Sequence, residues 1–445
     1  MQTLRIALIA LARSTFDLPL AGEMTARLRR QLEAAGHTLL GPQEMISDLP
    51  AAQAAARSLA GETIDLLLVL QATFADSTLV GALAEALQAP LLLWAVPEAR
   101  TGGRLRLNSL CGINLAAHAL TLQNKKYSHV YALPEDAAAL QKAQALALAG
   151  RARRSLAGAR LGVVGSHPAG MASCHLDAPA LHDIFGLRVN QYPLDELLAQ
   201  ARAIPAAEIA PLRARLDARL DNLADLEQTA LAGTLKVYAA LRRLTQQENL
   251  SGLAVRCWPE FFTELGSAAC GAMSMLSDEC IPCSCEADIN GTVTQYLLQL
   301  LSDEPAFGSD LVSVESENDI AVLWHCGLAP LAMADPAVQP HGGIHSNRRV
   351  PLVMEFPLKP GPVTLARLSQ ASGRLQLVVG RGEMLSAPPS FSGTSGVLRF
   401  ERPVAHVLDD ILNHGLEHHV SLTYGDHLPA LLALADLLEL PVLKL

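Results

Sequence analysis

Three short segments carry side chains able to hold a divalent cation. Cys285-Glu286-Ala287-Asp288-Ile289-Asn290-Gly291 places two carboxylates beside a glycine expected to form a turn. Asp310-Leu311-Val312 sets another carboxylate where a strand pattern is expected to open. Glu417-His418-His419-Val420 leads imidazoles into an apolar strand that runs to Gly425. Two carboxylates and one neutral imidazole, with coordination positions left open, suit Mn²⁺, Mg²⁺ or a similar ion better than a closed zinc site. Such an ion polarises a carbonyl and orients the neighbouring hydroxyl. Each segment alone also fits a plainer role. Acidic residues at element ends are commonly solvated or cap helices, and His418-His419 fits an exposed pair.

Other candidates are weighed in the same way. His325-Cys326-Gly327 follows an apolar strand, where a histidine either meets substrate or is hydrogen-bonded in place. The polar stretch His341-Gly342-Gly343-Ile344-His345-Ser346-Asn347-Arg348 reads as an exposed connection in preference to a lid. Cys280, Cys283 and Cys285 lie close together, but Cys257, Cys270 and Cys326 stand at no spacing diagnostic of zinc. The cluster is read as buried, reduced thiols. No Gly-x-Gly-x-x-Gly follows the first strand and no Gly-x-x-x-x-Gly-Lys-Ser/Thr occurs, so nucleotide sites of those kinds are unsupported.

The elements that must position these groups follow from hydrophobic pattern. Residues 5–12, 66–70 and 90–95 are solid apolar runs, typical of parallel strands covered on both faces. Residues 20–35 and 82–87 have helical character between them, Leu20, Met24, Leu28 and Leu32 recurring every four. This rhythm predicts a doubly wound sheet, whose ligands sit beyond the strand C-termini. The loops there hold Arg13, Gln71 and Asn108. A second α/β unit opens with the strand 161–165, continues through one long helical stretch over 205–244, and ends a further strand at Val255-Arg256-Cys257-Trp258-Pro259. From about residue 350 short strands are split by Gly, Pro and Ser, as in a small antiparallel barrel or sandwich. The chain closes with a helix over 428–438 and a last apolar run.

The chain has 445 residues, half of them hydrophobic, with a net charge of −10. That length corresponds to about three domains, and the composition excludes a disordered chain. An acidic balance and 4% aromatic residues argue against a nucleic-acid partner. No window of about 20 residues is apolar enough to span a bilayer, so no membrane partner is expected. Eight cysteines are too few for a disulfide scaffold, and the N-terminal run is too short for a signal peptide. A cytoplasmic protein is expected.

Taken together, several segments resemble the L-fucose isomerase and L-arabinose isomerase family, in its fucose-isomerase-like branch. They are Leu105-Arg106-Leu107-Asn108-Ser109-Leu110-Cys111-Gly112, the 285–291 segment, His325-Cys326-Gly327, residues 356–368, Gly393-Thr394-Ser395-Gly396 and the 418–425 segment. The resemblance implies two Rossmann-like doubly wound α/β domains, 1–153 and 154–345, plus a C-terminal antiparallel β-barrel-like domain over 346–445. It implies a homo-oligomer, trimer or hexamer, acting on a sugar. It also implies metal ligands at Glu286, Asp310 and His419, with Mn²⁺ favoured and Mg²⁺ or Co²⁺ as alternatives. Glu315 and Glu317 compete with Asp310 for its role, and His418 with His419. The reaction implied is aldose–ketose isomerisation through an enediol, with Glu286 and Asp310 doubling as the acid/base pair. Arg13, Gln71, Asn108, Trp258 and His325 would bind substrate, and Arg13 would also suit an anionic substituent. Another metal-dependent enediolate enzyme (a lyase, aldolase or epimerase), or a non-catalytic sugar-binding homologue, stays open at this stage.

Overall fold

The computed structural model describes residues 3–445, and they divide into two units. Unit 1 holds the described residues up to Arg154 together with Pro429–Leu437; unit 2 holds Ser155–Leu428 and Leu438–Leu445.

Unit 1 is built on a sheet whose inner strands are buried on both faces. β1 (Arg5–Leu11), β2 (Thr38–Leu40), β3 (Leu66–Gln71), β4 (Leu91–Ala95) and β5 (Ser128–Tyr131) form one parallel sheet in the order β2-β1-β3-β4-β5. Side chains alternate across it, because successive Cβ atoms point to opposite faces. Ile6, Leu8 and Ala10 join the core beneath the helix Leu18–Ala34. Ala7, Ile9 and Leu11 join the other core, beneath helices Leu49–Leu59, Ser77–Ala86 and Ser109–Leu122. Ala433 and Leu437, from the last helix (Leu428–Leu438), pack on the first of these cores.

Unit 2 opens with a second parallel sheet in the order β7-β6-β8-β9, from β6 (Arg160–Val164), β7 (Arg188–Tyr192), β8 (Gly252–Val255) and β9 (Cys283–Ser284). The single helical stretch expected over 205–244 is divided. Helix Ala206–Asp217 ends, a short turn follows, and helix Gln228–Glu248 starts where the Glu227 side chain accepts the Thr229 and Ala230 amides. Two unpaired helix-start N–H groups are thereby satisfied, which makes a fresh start favourable.

The antiparallel part is a closed barrel. Its strands are β10 (Phe307–Glu315), β11 (Ile320–His325), β14 (Gly361–Ser369), β15 (Gln376–Leu385), β16 (Thr394–Phe400) and β17 (His419–Tyr424). They run in the order β16-β11-β10-β17-β14-β15, and a β15–β16 pairing closes the ring. Closure leaves those strands without a bare edge. β12 (His341–Gly343), β13 (Val353–Pro357) and β18 (Val442–Lys444) flank it. Two of the six barrel strands come from 307–325, ahead of the texture change near residue 350. No helix among the described residues is long and apolar enough to cross a membrane.

Two local expectations change. Asp310 lies inside β10 and does not open it; it pairs with Trp324 on one side and His419 on the other. Gly291 is not a turn residue. It lies in the first turn of helix Ile289–Ser302, and Asp288 caps that helix by accepting the Gly291 amide at 3.0 Å.

Candidate active site

The register of the barrel makes the first contact. Asp310 and His419 are cross-strand partners, so their side chains meet without help from any loop. Glu286 arrives from the segment between β9 and helix Ile289–Ser302, where Glu286 and Ala287 both take left-handed backbone, φ 58° and 56°. Neither is glycine, and such conformations are strained and cluster at functional sites. Trp258 and His325 line the same cavity of about 280 Å³ in unit 2 as Glu286, Asp310 and His419.

The proton positions follow from the partners. Asp288 is fully buried; burial opposes its ionisation, but the Arg367 guanidinium and the His419 hydrogen bond hold its carboxyl well below the usual range. Arg367 meets both Asp288 oxygens, at 3.1 Å for Oδ1. An ionised carboxylate only accepts hydrogen bonds, so His419 Nδ1, 2.9 Å from Asp288 Oδ2, carries a proton and donates it. The other ring nitrogen, Nε2, offers its lone pair when the ring is neutral; it lies 3.5 Å from Asp310 Oδ1 and 3.9 Å from Glu286 Oε2. Asp310 Oδ1 is buried with no hydrogen-bond donor among the described residues. The Nε2 lone pair and the unpartnered Asp310 Oδ1 thus face each other with no donor between them, and Glu286 Oε2, which His418 also approaches, stands on the other side of the ring nitrogen, an arrangement that a cation relieves. The carboxylate–histidine pair behind it is the arrangement that orients and sharpens a metal-binding imidazole.

The surrounding groups tune the carboxylates. Trp258 Nε1 donates to Glu286 Oε1 at 3.1 Å, which leaves Oε2 turned toward His418 and His419. Burial disfavours the Glu286 anion, yet the His418 hydrogen bond and the two imidazoles draw its pKa below the ordinary value. The same hydrogen bond raises His418. His418 also meets Ser173 Oγ at 3.1 Å and is half exposed. Burial, with the Asp288 charge beside it, pushes the Cys174 thiol up to about 12, so the sulfur 3.9 Å from Glu286 Oε2 is a neutral thiol. His325 stacks on Trp324 and lies 6.0 Å from the His419 ring. Its Nδ1 accepts the Cys326 amide at 2.8 Å, which leaves Nε2 as its second hydrogen-bonding atom.

The remaining expected residues belong to unit 1. Arg13 is ion-paired with Asp76 and lies 5.2 Å over the Phe74 ring. Gln71 ends β3 with its amide buried and unpartnered among the described residues, beside Gly112, where a Cβ would come within 3.0 Å of Gln71 Oε1. Asn108 takes left-handed backbone at the start of helix Ser109–Leu122.

Several cavity residues escaped the sequence reading. The 341–348 stretch is not a mere exposed connection: its first residues form β12, and His345, Asn347 and Arg348 line the cavity. Arg348 is exposed and lies 5.6 Å over the Trp258 ring and 5.8 Å over Phe262, with no carboxylate partner among the described residues. Asp288 carried a usable signal, an acidic residue directly before an apolar helical pattern. Arg367 carried one too, a lone charge in an otherwise apolar strand. Of the cysteine cluster, Cys283 and Cys285 are buried while Cys280 is exposed.

Comparison with known proteins agrees with this architecture. Residues 7–153 match the model of the fucose/sulfoquinovose isomerase N-terminal domain, and residues 354–445 match that of the L-fucose isomerase C-terminal domain. A sulfoquinovose isomerase of Alkalicoccus urumqiensis is 33% identical over 382 residues, covering 86% of this chain and 86% of that protein. One from Priestia aryabhattai is 29% identical over 442 residues, 99% of each chain. One from Clostridium sp. (strain MSTE9) is 31% identical over 380 residues, 84% of this chain and 85% of the relative. Two parallel-sheet α/β parts, a closed barrel and these relatives define an aldose–ketose isomerase. The chain belongs to the fucose/sulfoquinovose isomerase family.

Proposed function

We propose that this isomerase is divalent-metal-dependent and interconverts an anionic aldose, sulfoquinovose, with its ketose through an enediol. The observation that carries the metal is the buried, unpartnered Asp310 Oδ1 set against the His419 Nε2 lone pair, with Glu286 Oε2 within 3.9 Å of the same nitrogen. The substrate reading is supported by the relatives' name and by Arg348, a guanidinium in the cavity whose charge no neighbouring carboxylate takes up. We place the protein in the cytoplasm as a homo-oligomer, a trimer or hexamer, as the family resemblance implies.

Glu286, Asp310 and His419 would hold Mn²⁺, with Mg²⁺ or Co²⁺ as substitutes. The bound ion would supply Lewis-acid stabilisation of the oxyanion that develops as the enediol forms. Glu286, kept ionised by its imidazole neighbours, takes the carbon-bound proton and returns it to the adjacent carbon. The Trp258 indole holds the other oxygen of that carboxylate in place. Asp310, across the strand pair, manages the oxygen-bound proton. Such acid–base assistance is worth about 10²–10⁴-fold. His325 and Arg348 orient the open-chain sugar, and Trp258 offers a flat wall. Arg13, Gln71 and Asn108 stay proposed substrate-binding residues.

The test is Glu286→Gln, with ketose formation from sulfoquinovose followed by NMR in D₂O and added Mn²⁺. Turnover falls by at least about 10²-fold while the circular dichroism spectrum is unchanged. Normal turnover in the variant would sink the assignment. Shorter carbon products from the unmodified chain would make it a lyase.

A further inference from the structure

A second group of metal-ligating atoms lies in the wall of the same cavity and takes no part in the scheme above. Cys270 begins the helix Cys270–Asp278, Cys326 follows β11, and His345 lies between β12 and β13. The two sulfurs are 3.3 Å apart, and one ligand atom from each of the three residues falls within 4.8 Å of the others. His345 Nδ1 is buried and has no hydrogen-bond partner among the described residues. The His345 ring is held edge-on against Phe262, with centroids 5.1 Å apart.

We propose that Cys270, Cys326 and His345 form a soft-metal site for a thiophilic d¹⁰ ion such as Zn²⁺, separate from the oxygen-rich site of Glu286, Asp310 and His419. Tetrahedral zinc with Zn–S near 2.3 Å sets its sulfurs about 3.8 Å apart, so the observed pair needs to open by only about half an ångström. Thiolates and imidazole select zinc over the hard cations that carboxylates prefer. Two cysteines and one histidine leave the fourth position to water, a set known for open zinc sites. A disulfide between the cysteines would satisfy neither the geometry of His345 nor its unpartnered nitrogen. Binding is balanced by loss of both thiol protons to solvent, so the ion, two thiolates and neutral imidazole sum to zero charge. Cys326 Sγ also lies 3.1 Å from His325 Nδ1. An ion drawing on Cys326 and His345 therefore ties His325 and the segment bearing Asn347 and Arg348 to one point.

The experiment uses the reduced full-length chain, stripped with chelator and titrated with Co²⁺ as the probe. Sulfur ligation gives an intense thiolate-to-cobalt charge-transfer band in the near ultraviolet, which an oxygen-rich site does not. The expected result is a band that saturates by two cobalts per chain, the other ion filling the oxygen-rich site, and is bleached by Zn²⁺. It disappears in Cys326→Ser and Cys270→Ala. It weakens by at least about tenfold in affinity in His345→Ala, the lower end of the loss seen even for groups behind the ligands. It survives in Glu286→Gln and Cys174→Ser, so its fate is separate from that of the oxygen-rich site. No band in the unmodified chain, a band that persists in folded Cys270→Ala, or an unchanged cobalt affinity in folded His345→Ala, overturns the proposal.

Discussion

His419 can serve as a ligand only because Asp288 decides which of its nitrogens holds the proton. The buried Arg367 keeps Asp288 ionised so that it can do this. Asp288→Asn keeps the shape and the oxygen that caps helix Ile289–Ser302, but removes the charge that holds the imidazole. Calorimetric titration with Mn²⁺ is expected to show affinity lower by about 10–100-fold. The pH sign follows from the depressed Asp288 pKa. Its stabilising contribution is complete above the usual carboxylate range and is lost as pH falls through the lowered folded value. The variant's acid limb in urea melts is therefore flatter than that of the parent chain. A second residue-scale outcome concerns Arg348. Charged hydrogen bonds contribute roughly 1.5–3 kcal/mol, so Arg348→Met should raise KM for the sulfonated sugar by about 10- to 100-fold and leave KM for the neutral 6-hydroxy sugar nearly unchanged. Equal losses for both sugars would remove Arg348 from charge recognition. The segments bearing Glu286, Asp310 and His419 stood out in the sequence as acidic and imidazole groups in short patterned stretches. Each alone also fitted a plainer role, and only the family resemblance singled out those three as ligands. The Asp288–Arg367 and Asp288–His419 pairs were not legible. They join residues 79 and 131 positions apart, and no local pattern encodes which buried charges will meet.

At the scale of elements, the start of helix Ile289–Ser302 sets the position of Asp288. A Cβ on Gly291 would stand 2.6 Å from Asp288 Oδ2 and 3.0 Å from Asp288 Cγ. Asp288 cannot swing aside, because Arg367 and His419 hold it from the other side. Gly291→Ala is thus an overpacking change costing about 1–3 kcal/mol. It should lower the urea midpoint and weaken Mn²⁺ binding together, whereas Gly61→Ala, with nothing within 4 Å, leaves Mn²⁺ binding unchanged. The contrast in legibility is physical here too. Strands buried on both faces were readable as apolar runs, and the barrel's short strands by their Gly and Pro boundaries. The 205–244 stretch misled because its Ala- and Leu-rich composition favours helix throughout. The break depends on one capping side chain, Glu227. The 341–348 stretch misled because glycines and polar residues read as solvated loop. Gly342 and Gly343 are instead buried in a strand pairing where a Cβ would meet Leu223 at 2.7 Å and Glu355 at 2.6 Å.

For the molecule as a whole, the proposed metal ligands come from three separate elements of unit 2: the 285–287 turn, β10 and β17. Two are barrel strands and the third leads out of the parallel sheet, so one bound ion would tie the barrel to the sheet that precedes it. An ion that binds the folded form alone stabilises by about 2.7 kcal/mol at one hundred times its Kd. That energy must appear where the ligands are. Hydrogen exchange with and without Mn²⁺ is expected to show added protection in β10, β17 and helix Ile289–Ser302. β1 and β3, buried inside the unit 1 sheet apart from Arg5, serve as the internal reference and should change far less. EDTA should erase the difference, and Glu286→Gln should show little of it at the same Mn²⁺ concentration. Equal protection of β1, β3, β10 and β17 would mean that the ion acts on folding at large, for which these three ligands give no reason. No protection anywhere, with activity retained in EDTA, would leave the facing acceptors of Asp310, Glu286 and His419 to be satisfied by substrate hydroxyls alone.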